Sequence, residues 1–221
     1  MIDKTFASLE GAVADIHDGA TVMIGGFGNA GMPSALIDAL IEQGARDLTI
    51  VNNNAGNGET GLAALLKAKR VRKIICSFPR QADSHHFDAL YRAGEIELEL
   101  TPQGNLAERI RAAGAGIGGF FSPTGYGTLL AEGKETRLID GRHYVLESPI
   151  HADFALIKAL RGDRWGNLVY RKTARNFGPI MAMAAKTTIA QVRQVVALGE
   201  LDPEAIITPG IFVQRVVQEA V

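Results

Sequence analysis

Cysteine is almost missing from this 221-residue chain: Cys76 stands alone. A single thiol excludes an intramolecular disulfide and any metal site built from cysteines. An excess of charge of either sign is missing too. Lys and Arg number 23 against 24 Asp and Glu, for a formal net charge of −1, and no basic run occurs. Such a chain has no bulk field to draw in nucleic acid or an anionic membrane surface. No stretch approaches the ~20 apolar residues of a membrane span. The opening "MIDKTFASLE" has no apolar signal-peptide core. The expected address is therefore the cytoplasm. No repeat, low-complexity tract or linker breaks the pattern, so one continuous domain over 1–221 is expected.

What is present is an ordinary globular balance, 47% apolar and 21% charged residues. A chain of this size buries roughly 70% of its unfolded surface. Strand and helix patterns alternate along it. "KTFASLEGAVADI" (4–16) has helical spacing through Phe6, Leu9, Val13 and Ile16, and "TVMI" (21–24) reads as a buried strand. "PSALIDALIEQG" (33–44) reads as a helix with Pro in its first turn and Gly44 as its stop. With "LTIV" (48–51) these segments make a strand–helix–strand unit, which predicts parallel pairing.

The alternation continues with helix 60–69, strand 73–78, helix 84–93, strand 96–100 and helix 105–113. Glu97 and Glu99 fall on one face of their strand. A segment with six glycines then spans 114–128 and is long for a structureless loop. Residues 136–147 read as a hairpin around Asp140-Gly141, 153–160 and 167–170 as strands, and 174–188 as a helix. Apolar alternation near the C-terminus suggests further strands. The fold class is α/β, with a mostly parallel sheet flanked by helices.

The chemistry concentrates in "DGATVMIGGFGNAGMP" (18–33), where four glycines fall between Gly25 and Gly31. Gly26-x-Gly28-x-x-Gly31 matches a dinucleotide fingerprint, but the next strand ends in "VNNN" (51–54) without the acid that binds a ribose. No Gly-Lys-Ser/Thr follows, which excludes a P-loop. One or two glycines suffice for a tight turn. Four of them, leading into a helix N-terminus, leave backbone N–H groups open to a ligand.

Asp18-Gly19, the apolar strand, Gly25-Gly26-Phe27, Gly31 and Pro33 together resemble the signature of family I (3-oxoacid) coenzyme A transferases. "VNNNAG" (51–56), "TPQGNLAERIRAAGAGI" (101–117), "FFSPTGYGTLLAEGKE" (120–135), "DFALIKA" (153–159) and "YRKTARNF" (170–177) resemble, in order, blocks of the family's small α subunit. The resemblance covers essentially the whole chain. It implies a sheet of NagB/RpiA-like type and a partner β subunit. It also implies transfer of CoA from succinyl-CoA to a 3-oxo acid, with 3-oxoadipate expected and acetoacetate or another short-chain acid as the alternative.

Such transfer passes through a carboxylate nucleophile, an acyl anhydride and an enzyme thioester, so it needs a buried acid and an oxyanion site. CoA enters as a substrate, and no permanently bound cofactor or metal is expected. Glu59 in "NGETG" is the best-placed acid here, although it also reads as a helix-start residue favoured by the dipole. Glu147 reads equally as a strand-end acid, and Cys76 as a small core residue. In the family the nucleophilic glutamate lies in a Ser-Glu-Asn-Gly type motif of the other subunit, and no such motif occurs here.

By resemblance, Gly25, Gly26, Phe27, Gly28, Asn29, Ala30 and Gly31 form the CoA-binding segment. Asn53 is the oxyanion donor and Gln103 a contact to the acid substrate, although Asn runs also form turns and Gln103 also reads as a helix start. Arg80 is a candidate for the distal carboxylate of a dicarboxylate substrate. His85 and His86 read as solvated surface residues, since adjacent positions do not share a helix face. A sugar-phosphate isomerase or ligand-sensing module of the same fold is the rival reading. It needs an internal acid/base pair and a basic phosphate contact, neither of which is evident around 25–31.

Overall fold

The computed structural model describes residues 2–219. Along the chain run β1 (Thr5–Phe6), α1 (Leu9–Val13), β2 (Thr21–Ile24), α2 (Ser34–Gln43), β3 (Leu48–Val51) and α3 (Leu62–Lys67). Next come β4 (Val71–Cys76), α4 (His85–Arg92), β5 (Glu97–Leu100), α5 (Gln103–Gly114), β6 (Phe120–Ser122), β7 (Thr136–Ile139) and β8 (Arg142–Glu147). The chain closes with β9 (Ala152–Asp163), β10 (Leu168–Val169), α6 (Gly178–Ala184), β11 (Ala185–Val196) and β12 (Arg215–Gln218).

Eight strands pair in the order β1-β12-β11-β9-β2-β3-β4-β5, all parallel, and β10 adds antiparallel to β9. The expected parallel sheet is therefore present. From β2 the chain winds outward through β3, β4 and β5, then returns to lay β9 on the opposite side of β2. That reversal makes the β2–β9 boundary a topological switch point, where α/β sheets open a crevice at their C-terminal strand ends.

Strand residues alternate between two faces, as period-2 geometry requires. Val22, Ile24, Ile50, Ile74 and Leu156 pack with Leu36, Leu40, Leu65 and Phe87 of α2, α3 and α4. Met23, Val51, Ile75, Ala155 and Ile157 face Leu106, Ile110 and Met181 of α5 and α6. The small alanines of β9 and β11 sit opposite α6, whose own inward residues include Ala182 and Ala184. The α2 stop at Gly44 is a left-handed cap, φ 98°, donating to Leu40 O.

Three elements differ from expectation. The helix expected over 4–16 divides at Ser8, whose side chain caps α1, while Thr5–Phe6 pair with Val216–Val217 more than 200 positions away. The helix expected over 174–188 stops at Ala184, because Thr187, Thr188 and Ile189 extend β11 along β9. Within the glycine-rich segment, Phe120–Ser122 form a strand on β8, and the predicted hairpin, turning at Asp140 and Gly141 with positive φ at both, completes a small antiparallel sheet.

Ion pairs tie the sheet edges. Lys73 bridges Glu97 and Glu99 on the edge strand, and Arg215 on β12 holds Asp15 beyond α1. Hydrogen bonding from Arg215 depresses the Asp15 pKa, and the Thr21 amide and Lys186 do the same for Asp153. Burial pulls Glu99 and Glu219 upward, but Lys73 and Arg109 on the first, and Lys158, Gln191 and Arg193 on the second, outweigh it and both end depressed. Carboxylates with depressed folded pKa values stabilise fully above their unfolded values near 4, and that stability is lost as pH falls through the folded values. Thermal melting should accordingly hold level from about pH 7 to about pH 5 and drop progressively toward about pH 3. A melting temperature unchanged across the acidic range would contradict these assignments.

Candidate active site at the strand ends

The segments singled out in the sequence follow the C-terminal ends of neighbouring parallel strands. Gly25–Gly31 leaves β2, Asn52–Asn54 leaves β3, Ser77 and Phe78 leave β4, and Gln103 opens α5 after β5. Phe27, Asn53, Ser77, Phe78, Gln81 and Gln103 line one open depression of about 450 Å³. A second cavity, of about 260 Å³, shares Gln81 and is lined also by Gly28, Asn29, Asn54, Gly56 and Thr60. Neither lining contains a carboxylate or a cation.

Asn53 is 4% exposed, and its position is over-determined. Its carbonyl accepts from the amides of Ser77 and Phe78, each at 3.1 Å. Its Oδ1 accepts from Ser77 Oγ and from Gln103 Nε2, both at 2.8 Å. With Oδ1 filled twice, the side-chain NH2 is left as the donor, and it has no protein acceptor among the described residues. Asn52 and Asn54 serve differently. Asn52 donates from Nδ2 to Ile24 O at 2.6 Å and accepts from the Asn54 amide, while Asn54 Oδ1 caps Gly56 N. The buried Asn54 Nδ2 has no partner among the described residues.

The glycine segment is less open than its composition suggests. Gly25 lies against Ile157, Gly26 against Met32, and a Cβ on Gly31 would sit 2.2 Å from Ala174 O. Those three glycines allow close packing within the chain. Gly28 alone of the four has nothing within 4 Å of its would-be Cβ. Gly26 N donates to Asn176 Oδ1, and Phe27 and Ala30 bond each other's carbonyls. The amides of Gly28, Asn29 and Gly31 are left without a protein acceptor among the described residues.

The candidate nucleophiles are poorly disposed. Glu59 is exposed and held by Lys67, His86 and His85, which bring its pKa down to about 2. A solvated, weakly basic carboxylate is a poor attacking group for chemistry that must exclude water. Glu147 is buried, but Lys134 and Asn105 Nδ2 already occupy its carboxylate. Burial pushes the Cys76 thiol up to about 12. Arg80, between the lining residues Phe78 and Gln81 in sequence, pairs with Asp88 at 2.5 Å and lies over Tyr91.

Two arrangements depart from the sequence reading. His85 and His86 do converge, since at the first turn of α4 both rings reach the same Glu59 oxygen. A basic lining also exists beside Gly31, where Lys158, Arg171 and Arg193 border a cavity of about 270 Å³. Their distance in sequence from residues 25–31 hid that proximity.

The chain belongs to the coenzyme A transferase family, whose model matches residues 6–219. It is 78% identical, over 98% of its length and 94% of the relative's, to a 3-oxoadipate CoA-transferase subunit of Pseudomonas putida. It is 72% identical, over 98% and 95%, to the subunit of the same name in Acinetobacter baylyi. An acyl-CoA transferase of Escherichia coli O157:H7, solved as a thioester complex with CoA, superposes with a TM-score of 0.85 at 24% identity. That fold match covers 98% of this chain but 47% of the other, so this chain spans about half of it.

Glycine substitutions should separate packing from exposure. Gly56→Ala places a Cβ 2.4 Å from Ala63 N at φ 85°, and Gly28→Ala meets open space at φ 57°. Urea denaturation should show the first losing about 3 kcal/mol or more and the second about 1–2 kcal/mol. Equal losses would contradict this account of the two turns.

Proposed function

We propose that this chain is the α subunit of a heteromeric CoA-transferase that moves CoA from succinyl-CoA to 3-oxoadipate. The observation that carries the reading is a depression furnished with donors and lacking a carboxylate nucleophile. The near-full-length likeness to two 3-oxoadipate CoA-transferase subunits supports the substrate. The partner β subunit supplies the glutamate. Its carboxylate attacks the thioester carbonyl of succinyl-CoA, expelling CoA thiolate and leaving a mixed anhydride. The thiolate then attacks the glutamyl carbonyl, releasing succinate and forming a glutamyl–CoA thioester. The 3-oxo acid reverses both steps, so each bond broken is re-formed on the other acid.

In this scheme Asn53 donates from Nδ2 to the oxyanion that develops at the carbonyl under attack. Gln103 and Ser77 hold that amide at fixed orientation, so no reorganisation is needed as charge develops. The segment Gly25, Gly26, Phe27, Gly28, Asn29, Ala30 and Gly31 receives CoA, with Gly28 and the unpaired amides beside it as its open part. Gln103 contacts the acid substrate, and Arg80 turns from Asp88 to meet the distal carboxylate. CoA is a substrate, and no cofactor is permanently bound. Among the described residues no helix is long and apolar enough to cross a membrane, in keeping with a cytoplasmic enzyme.

Succinyl-CoA to 3-oxoadipate transfer, followed by thioester absorbance, tests the reading. Activity should require both subunits, and turnover by the isolated chain would overturn the shared site. In the pair, Asn53→Ala should lower kcat by about 10²–10³ while circular dichroism shows the fold retained. A variant with full kcat would remove Asn53 from the chemistry. Arg80→Ala should raise KM for 3-oxoadipate about tenfold or more, leaving acetoacetate turnover alone. An unchanged preference between the two acids would place the distal carboxylate elsewhere.

A further inference from the structure

We propose that Glu59, His85 and His86 form a site for a borderline divalent transition cation, with Zn²⁺ as its natural class of occupant. One ligand atom from each residue lies within 4.8 Å of the others. His85 Nε2 and His86 Nε2 stand 2.8 and 3.1 Å from the same Glu59 Oε1. Tetrahedral zinc with bonds near 2.0–2.1 Å separates its ligand atoms by roughly 3.3 Å, so a small opening of the three side chains admits the ion. Two imidazoles with one carboxylate suit Zn²⁺ or Co²⁺, whereas Mg²⁺ and Ca²⁺ favour all-oxygen shells. Lys67 bonds the other carboxylate oxygen, Oε2, at 2.8 Å and leaves Oε1 to face the rings.

The local backbone explains how adjacent histidines converge. They are the first two residues of α4, and Glu59 sits across from that end on the loop after β3. The two loops are already stitched together. Gly58 N donates to Asp83 O at 3.0 Å, Asp83 N to Asn57 Oδ1 at 2.8 Å, and Ser84 Oγ to Gly56 O at 2.9 Å. The ligands are thus held near their positions before any ion arrives, which lowers the ordering cost of binding. None of the three lines either cavity, but the loops that carry them also carry Asn57, Thr60 and Gln81, which do. An ion here clamps the rim of the cavity that Asn57, Thr60 and Gln81 share with Gly28 and Asn29, and takes no part in the transfer steps.

Cobalt titration of the untagged full chain tests the site. The wild type should take up one Co²⁺ per chain with the visible bands of a tetrahedral centre, displaced by Zn²⁺ and not by Mg²⁺. Glu59→Gln, His85→Ala and His86→Ala should each abolish those bands. All three side chains lie outside the hydrophobic clusters, and circular dichroism checks that each variant is folded. Lys67→Met, which removes the competing cation, should bind the ion more tightly. Hydrogen exchange over 57–61 and 81–86 should slow on Zn²⁺ addition in the wild type and not in His86→Ala. Bands that persist in the variants would assign the ion to His17, His143 or His151 and overturn the proposal, as would a wild type that shows none. Unchanged exchange would overturn the clamp.

Discussion

The pairing of β2 with β9 is the contact on which the other elements rely. Val22 to Ile24 align with Phe154 to Leu156, joining segments about 130 residues apart in sequence. On one side β2 begins the run to β5, and on the other β9 begins the run through β11 and β12. Because every pair along that path is parallel, one rim of the sheet collects the C-terminal ends, and the loops leaving it converge. Gly25 N also donates to Leu156 O, so the glycine segment starts from the seam itself. A fully parallel arrangement must be covered on both faces, and the two helix layers supply that cover.

Convergence at the rim turns ordinary turn residues into a site. An asparagine run after a strand has many uses, and here each residue has a different one. Asn52 ties β3 to β2, Asn54 caps the next turn, and Asn53 is pinned by Ser77 and Gln103 with its amide donor unfilled. In the proposed function, this rigid donor at the mouth of a depression without an acid serves as half of an acyl-transfer centre. In the proposed reading the partner subunit brings the other half, in keeping with Glu59 being exposed and Glu147 already engaged by Lys134 and Asn105.

Much of this was legible in the sequence because the signals were local. The β2–α2–β3 unit, the Gly44 stop, the hairpin at Asp140-Gly141 and the facing of Glu97 with Glu99 all rest on short-range chemistry. What was not legible depends on distant partners. Thr5–Phe6 form a strand only because β12 lies beside them. Residues 185–188 leave an alanine-rich helical pattern because β9 offers a long parallel edge. The glycines misled in a similar way, since Ala174 and Ile157, far off in sequence, occupy space that the motif alone suggested was open. The meeting of His85 and His86 on Glu59 also depended on two loops whose stitching no spacing rule reveals.

In the proposed division of labour, this chain shapes the site and another polypeptide carries the covalent intermediate. Intact-protein mass spectrometry of the two-subunit complex, quenched in acid after incubation with succinyl-CoA, is its sharpest test. The expected result is a CoA adduct on the partner polypeptide, removed by adding a 3-oxo acid, and an unmodified mass for this chain. A CoA adduct on this chain, at Glu59 or any other residue, would contradict that division.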